Sequence, residues 1–285
     1  MSWEKLINEN KPLVITGTIN AYSALLAERA GIKAIYLSGG GVANASYGLP
    51  DLAMTSREDV LEDVRRIRSA SELPLLVDID TGWGSALAIS RSIKEMISAG
   101  ASGVHIEDQV SEKRCGHRPN KEIVSLEEMV DRIKAAKDAQ TDDNFLLMAR
   151  TDAFAKGGLQ EVIDRSNAFI EAGAGAIFPE AISTLKDYEE ISKNVSKPIL
   201  ANITEFGMTP LFSHNELAEA GVKIVLHPLS AFRAMSKAAE KVYATLASGG
   251  DHEGLLDKMQ TRDELYDVLD YHMYEEKIDK LFEKN

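Results

Sequence analysis

The chain has 285 residues, 44% hydrophobic and 27% charged, with 32 basic against 45 acidic side chains for a formal net charge of −13. That length suits one α/β barrel with a sizeable core, and the acidic balance argues against nucleic acid or an anionic membrane surface as the main partner. A single cysteine excludes an intrachain disulfide and favours a reducing compartment; with no apolar signal core in "MSWEKLINENKP" and no run near ~18 apolar residues, a cytoplasmic protein with no membrane segment is expected.

Short apolar runs recur in chain order: "PLVITGT" (12–18), "AIYLSGG" (34–40), "LPLLVDID" (73–80), "SGVHIED" (102–108), "FLLMARTD" (145–152), "GAIFPEA" (175–181), "KPILANIT" (197–204) and "VKIVLHP" (222–228). Between most of them lie segments of helical periodicity, such as "AYSALLAERAG" and "SALAISRSIKEMISAG", ending in glycine as a helix C-cap does. Strand, helix, strand repeated this way implies parallel pairing through right-handed crossovers. Eight repeats predict an α/β, (β/α)8 TIM-type barrel, with a doubly wound open sheet as the alternative. No linker divides the chain, so a single barrel domain over 1–285 is expected, with a C-terminal helical tail from about 230. The tail carries an apolar stripe at helical spacing, Leu265, Leu269, Tyr274, Ile278 and Leu281, which must be covered by its own barrel or by a neighbouring subunit.

The runs begin apolar and finish polar. Asp78 and Asp80 close the third, His105 and Glu107 the fourth, Arg150 and Asp152 the fifth, Glu180 the sixth, Asn202 and Thr204 the seventh. Residues i and i+2 of a strand point to one side, so these pairs converge at the C-terminal mouth of a barrel, where barrel enzymes keep their chemistry. Asp78, Asp80 and Glu107 would repel one another and raise each other's pKa unless a divalent cation, Mg2+ or Mn2+, lay between them. An ion-pair cluster with Arg150 and Lys113 is the other reading. In "YLSGGGVANASYGLPD" (36–51), three glycines would let backbone N–H groups approach an anion, although a plain tight turn explains them equally. Tyr36 and Ser38 share a face there, and Asp51 follows.

"SEKRCGHRPNK" (111–121) crowds Lys113, Arg114, His117, Arg118 and Lys121 around Cys115. No helical pattern runs from Asp108 to Val124, and Ser125 with Glu128 reads as a capping box for the next helix. The resulting loop of about 17 residues has the length of a lid or binding segment. Its cations are expected to receive substrate carboxylates, to lower the pKa of the thiol, and to gain partners only when the anion arrives, closing the loop over it. The plainer reading is a solvated basic loop with an incidental cysteine.

"KRCGHRPNK", with "LSGGG", "DIDTGWG", "HIEDQ", "MARTDA", "FPEA" and "ANITEFG", resembles the isocitrate lyase and phosphoenolpyruvate mutase superfamily. The resemblance runs from about residue 11 to the end, including "LSAFRAM" and "MQTRDELY", and is nearest to the branch that cleaves 2-methylisocitrate. The K-[KR]-C-G-H motif marks the lyases; Trp83 and His227 depart only beside motif positions. The resemblance implies a barrel that is usually tetrameric with its C-terminal helix exchanged between subunits, bound Mg2+, and cleavage of 2-methylisocitrate to pyruvate and succinate, as in propionate catabolism. It implies that Asp78 and Asp80 anchor Mg2+ largely through water with Glu107 in support, and that Ser38, Gly39, Gly40 and Arg150 hold the pyruvate half. Gly116, Glu180, Asn202, Ile203, Thr204, Arg233 and Arg262 would hold the succinate half or brace the site. Cys115 would protonate the carbanion, with Lys113 and His117 beside it, and Tyr36 and Asp51 are the candidates for the hydroxyl base. Phe178, Leu226 and Pro228 would form the pocket for the substrate methyl group. Isocitrate lysis, phosphonopyruvate chemistry, oxaloacetate decarboxylation and a non-catalytic anion-binding barrel are the alternatives.

Overall fold

The computed structural model describes residues 2–116, 118, 120–251 and 253–282. Its strands are β1 (Leu13–Gly17), β2 (Ile35–Leu37), β3 (Leu75–Asp78), β4 (Gly103–Glu107), β5 (Leu146–Thr151), β6 (Ala176–Pro179), β7 (Leu200–Asn202) and β8 (Ile224–His227). All pair in parallel in the order β6-β5-β4-β3-β2-β1-β8-β7. A single bridge, Ile177 to Ile199, joins the two ends of that order, with the Ile177 N–H donating to the Pro198 carbonyl at 2.9 Å. The result is a nearly closed TIM-type barrel, which sets the open sheet aside. Each strand lies inside its expected run, and Asp80, Glu180 and Thr204 fall just past the last ladder residue.

The helices are α1 (Trp3–Glu9), α2 (Ala21–Arg29), α3 (Gly39–Gly41, one turn continued by a π turn over Val42–Ser46), α4 (Arg57–Ala70), α5 (Ala86–Ser98), α6 (Leu126–Asp138), α7 (Phe154–Glu171), α8 (Leu185–Asn194), α9 (His214–Glu219), α10 (Ser230–Ala247), α11 (Arg262–Val268) and α12 (Tyr271–Phe282). Side-chain oxygens start several of them: Ser56 and Asp59 form a reciprocal capping box on α4, and Ser213 and Glu216 do the same on α9. On α6 the expected box is only half made. Ser125 accepts from the Glu128 N–H at 3.2 Å, but the Glu128 carboxylate is taken by Arg132 at 2.7 Å.

Strand alternation divides the core in two. Odd-numbered residues such as Val77, Ala149 and Ile177 pack outward against the helices in one cluster. Their even-numbered neighbours Leu76, Met148, Ala176 and Phe178 fill the barrel lumen with Leu13, Ile15, Leu200, Ile224 and Leu226. Helix α1, which the sequence reading did not anticipate, adds Trp3, Leu6 and Ile7 to this inner cluster, and the Trp3 indole donates to the Ser102 carbonyl ahead of β4 at 2.8 Å. The lumen is therefore plugged at its N-terminal end.

The chain divides into two compact units, 1–232 and 233–285. In the second, Leu255 and Val268 are the apolar residues described as buried. Tyr266 and Tyr271 stack at 4.2 Å where α11 meets α12, and Thr261 with Glu264 forms a capping box on α11. The expected stripe, Leu265, Leu269, Tyr274, Ile278 and Leu281, is exposed along its length in the single chain.

Candidate active site

The lumen changes character along each strand. Above Leu76 stands Asp78, above Met148 Arg150, above Phe178 Glu180, and above Leu200 Asn202, while β4 presents His105 and then Glu107. Parallel register places Asp78 beside His105, Glu107 beside Arg150, and Arg150 beside Phe178. The strand-end pairing expected from spacing alone is thus assembled at one mouth.

Asp78 is the hub of the left side. One oxygen accepts from the Gly39 N–H at 3.0 Å and from the Tyr36 hydroxyl at 3.3 Å, and the other accepts from the Asp80 N–H at 3.0 Å. The Gly39 N–H, expected to face a substrate anion, is therefore spent on a protein carboxylate, and this long-range bond draws the three glycines into a helical turn rather than an open loop. Tyr36 also lies 2.9 Å from His105 Nε2 and stacks on that ring. Burial would raise the Asp78 pKa, but His105, Lys113, Arg150 and the Asp80 N–H together bring it down to about 2. Burial lowers His105 to about 4, so its ring is neutral at ordinary pH. Burial and Asp78 raise the Tyr36 phenol well above its ordinary value. The phenol is thus protonated here and donates to Asp78.

Arg150 organises the right side. It makes two bonds to Asp152, at 2.9 and 3.2 Å, lies 3.3 Å from Glu107 and 3.8 Å from Glu180, and rests 5.1 Å over the Phe178 ring. Asn202 donates to Glu180 at 3.3 Å across the barrel seam. Of the proposed methyl pocket, Phe178 and Leu226 are buried in the lumen cluster, and Pro228 is buried just after β8. Thr204 is buried past the end of β7. Ile203 departs from expectation. Its side chain packs in the outer core, its N–H donates to Leu226, and its carbonyl meets the His227 ring at 3.1 Å. Arg233 lies on α10 and Arg262 opens α11, both in the second unit.

The cysteine loop is more tied down than expected. Its base is a two-rung antiparallel ribbon: the Val110 N–H donates to Glu122 at 3.1 Å and the Val124 N–H to Asp108 at 2.8 Å. The Gln109 amide clasps Arg114 at its N–H and carbonyl. Lys113 is buried between Asp51 at 2.7 Å and Asp80 at 2.6 Å, and Lys121 is buried against Asp152 and the Gly116 carbonyl. The expectation that these cations await a substrate is corrected for both lysines. A buried ammonium needs a partner, and each has found a carboxylate of the protein. Arg114 and Arg118 are exposed, Cys115 is half-buried, and His117 lies outside the described residues. Gly116 sits so close to Arg150 and Glu180 that a Cβ there would stand 2.6 Å from the Glu180 carboxyl carbon.

The mouth gathers Asp51, Asp78, Asp80, Glu107, Asp152 and Glu180 against Lys113, Lys121 and Arg150. Acids outnumber bases, and the electrostatics register it. Burial, opposed by Lys113 but reinforced by Asp78, raises Asp80 to about 6; burial, opposed by Arg150, raises Glu107 well above its ordinary value. Both Glu107 oxygens are buried without a hydrogen-bond partner among the described residues, with Arg150 as a charge contact at 3.3 Å, and Asp80 Oδ1 meets the Lys113 ammonium. Among the described residues no group of three or more His, Cys, Asp or Glu is gathered tightly enough to hold a metal ion by protein ligands alone. Oxygen donors short of positive charge suit Mg2+, which keeps several waters and needs few protein ligands. The residues present therefore fit such an ion.

Sequence reasoning set His105 and Asp152 at the mouth and Lys121 in the loop without giving any of them an individual role, and it missed Asp108. The first two sit at strand-end positions that the i, i+2 rule flagged. Asp108 braces the Asp152 N–H at 2.9 Å and is held by the Thr151 hydroxyl at 2.7 Å and by Arg165 of α7 at 3.2 Å. No local signal announces that last contact.

Residues 4–247 match the family model described as phosphoenolpyruvate phosphomutase. The chain belongs to that family. It is 58% identical to a 2-methylisocitrate lyase of Shewanella oneidensis, over all of this chain and 98% of the relative. It is 59% identical to one of Vibrio cholerae, over 97% of this chain and 92% of the relative. Among solved structures it is similar to 2,3-dimethylmalate lyase, described as a member of the PEP mutase/isocitrate lyase superfamily, with a TM-score of 0.88 and 31% identity over 98% of this chain and 93% of that one. A phosphonopyruvate hydrolase complex with oxalate and Mg2+ has a TM-score of 0.85 at 28% identity, covering 98% of this chain and 97% of that one.

Proposed function

We propose that this chain is a carbon–carbon lyase that cleaves 2-methylisocitrate to pyruvate and succinate. The observation that carries the reading is the full-length likeness to 2-methylisocitrate lyases, together with Cys115 on a loop held at a mouth of carboxylates and one arginine. Mg2+ held through Asp78 and Asp80, with Glu107 in support, would neutralise the hydroxy-acid end of the substrate and polarise its oxygens.

The protein's own groups account for the rest. Arg150, with Ser38 and the glycine turn, orients the pyruvate half. Glu180 and Asn202, joined across the seam, with Thr204 beyond β7, line the place for the succinate half. Asp51 is the better candidate for the hydroxyl base, because Tyr36 is held protonated and serves as a donor beside Asp78. As the bond breaks, charge moves to the succinate carbon, and the Cys115 thiol gives it a proton. The buried Phe178 and Leu226 would admit a methyl group; one methyl distinguishes isocitrate by only about 1–3 kcal/mol. The exposed stripe on α11 and α12 supports a tetramer in which this segment is covered by a neighbouring copy. No helix among the described residues is long and apolar enough to cross a membrane, which is compatible with a cytoplasmic enzyme. The test is pyruvate release from 2-methylisocitrate, isocitrate, phosphonopyruvate and oxaloacetate in parallel with Mg2+. Turnover is expected on the first; activity confined to the last two would sink the proposal.

A further inference from the structure

Two lysines flank Cys115, and they are not equivalent. Lys113 draws on Asp51 and Asp80, and Asp80 belongs to the proposed cation site. Lys121 draws on Asp152, which lies outside it. Lys121 is 7% exposed, and its ammonium donates at 2.6 Å to the carbonyl of Gly116, five residues back, while pairing with the Asp152 carboxylate. It closes a ring in the loop and fastens that ring to the end of β5. Asp152 cannot follow a moving loop: its carboxylate is held twice by Arg150 and its N–H by Asp108. Within the ring the Arg118 N–H donates to the Cys115 carbonyl at 2.9 Å. Gly116 is in contact range of Arg150 and Glu180, with no room for a Cβ. The base of the loop is fixed by its ribbon and the side before Cys115 by Lys113 and Gln109, so Lys121 is the group that fixes the side after Cys115.

We propose that Lys121 is a positioning residue: by tying the Gly116 carbonyl to Asp152 it holds the Cys115–Gly116 segment against Arg150, at the height where the thiol meets the carbon to be protonated. The role of the thiol rests on the lyase reading above; the clamp itself does not. Loss of Lys121 leaves Arg150 its two bonds to Asp152, so substrate binding should survive in Lys121→Met while proton delivery suffers.

Cys115 is the only cysteine in the chain, so the high-pH plateau of its reaction with iodoacetamide, followed by intact mass, reports its exposure apart from its thiolate fraction and without substrate. Losing a charge-assisted hydrogen bond in Lys121→Met should raise the alkylation rate about tenfold or more, while Lys121→Arg, which keeps the cation, stays within about threefold of wild type. With 2-methylisocitrate, Lys121→Met should lower kcat about tenfold or more and move KM by less than about threefold. Asp152→Asn, nearly isosteric, breaks the same clamp from the other side, should raise alkylation likewise, and decides the matter if Lys121→Met does not fold. A folded Lys121→Met or Asp152→Asn protein alkylated at the wild-type rate overturns the proposal. If the wild type releases no pyruvate from 2-methylisocitrate, the lyase reading fails while the alkylation rates still judge the clamp.

Discussion

At the N-terminal end of the barrel, Leu13, Ile15, Leu200 and Ile224 pack with Trp3 and Leu6. One pleat or two further along, the same lumen holds Asp78, His105, Glu107, Arg150, Glu180 and Asn202. Both ends are buried to the same degree, but they are buried under different rules. At the apolar end any side chain of suitable volume serves, and the cost of a change is the volume lost. At the ionic end each group depends on a named partner, and Asp78, Asp80 and Glu107 are displaced from their ordinary pKa. The plug fills the lumen with apolar side chains, and a low-polarity surround is what lets a few fixed charges at the mouth act strongly on a substrate.

That contrast can be broken at either end. The largest effect is expected at the ionic end: Cys115→Ser should lower kcat by about a thousandfold, in the range of a lost general acid, while calorimetry with Mg2+, pyruvate and succinate shows retained binding. Unchanged pyruvate release would refute the proton-donor role. At the apolar end, Trp3→Ala should cost about 3–5 kcal/mol of stability in urea titration yet leave kcat/KM within about twofold. A large loss of activity in the folded variant would mean that the two ends are coupled.

Acid should separate the ends further. His105 has a folded pKa of about 4 against an unfolded value near 6.5, so the unfolded chain binds its proton first. Its contribution, about 3 kcal/mol, is present above pH ~6.5 and is lost as pH falls towards ~4. Burial, reinforced by Asp152, raises Asp108 to about 6, which works in the opposite direction: that contribution is present below the unfolded value and fades as pH rises through ~6. In the metal-free protein, the pH slope attributable to His105 should vanish in His105→Gln; an identical slope would show that the ring is not buried neutral. The smallest effect belongs to the outer face of the loop. Arg114→Ala removes an exposed cation and should change stability by less than about 0.5 kcal/mol.

Much of the barrel was legible in the sequence, because the change from apolar to polar along each strand is itself the change from lumen to mouth. The same rule placed Asp78, Glu107, Arg150, Glu180 and Asn202 correctly on inward-facing positions. It failed where a residue's role depends on something distant in sequence. The three glycines become a helical turn because Gly39 meets Asp78 on the neighbouring strand. Lys113 and Lys121 are buried in ion pairs because Asp51, Asp80 and Asp152 converge on them from three other segments. Ile203 follows Asn202 in the chain but faces the helices, as alternation requires. Helix α1 has only seven residues, too few for periodicity to announce it, and its meaning lies in the open end it fills.

The strand order also has a clasp. Seven of the neighbouring strand pairs are laced by ladders, whereas β6 and β7 meet through the single Ile177–Ile199 bridge. A hoop fastened at one point changes its girth there before it changes anywhere else. Directly above that fastening stand Glu180 and Asn202, bonded to each other across the gap. The width of the mouth on this side is therefore set by one backbone bridge and one amide–carboxylate contact. A change of girth has its simplest route at this seam, with no need to rebuild the charged side around Asp78.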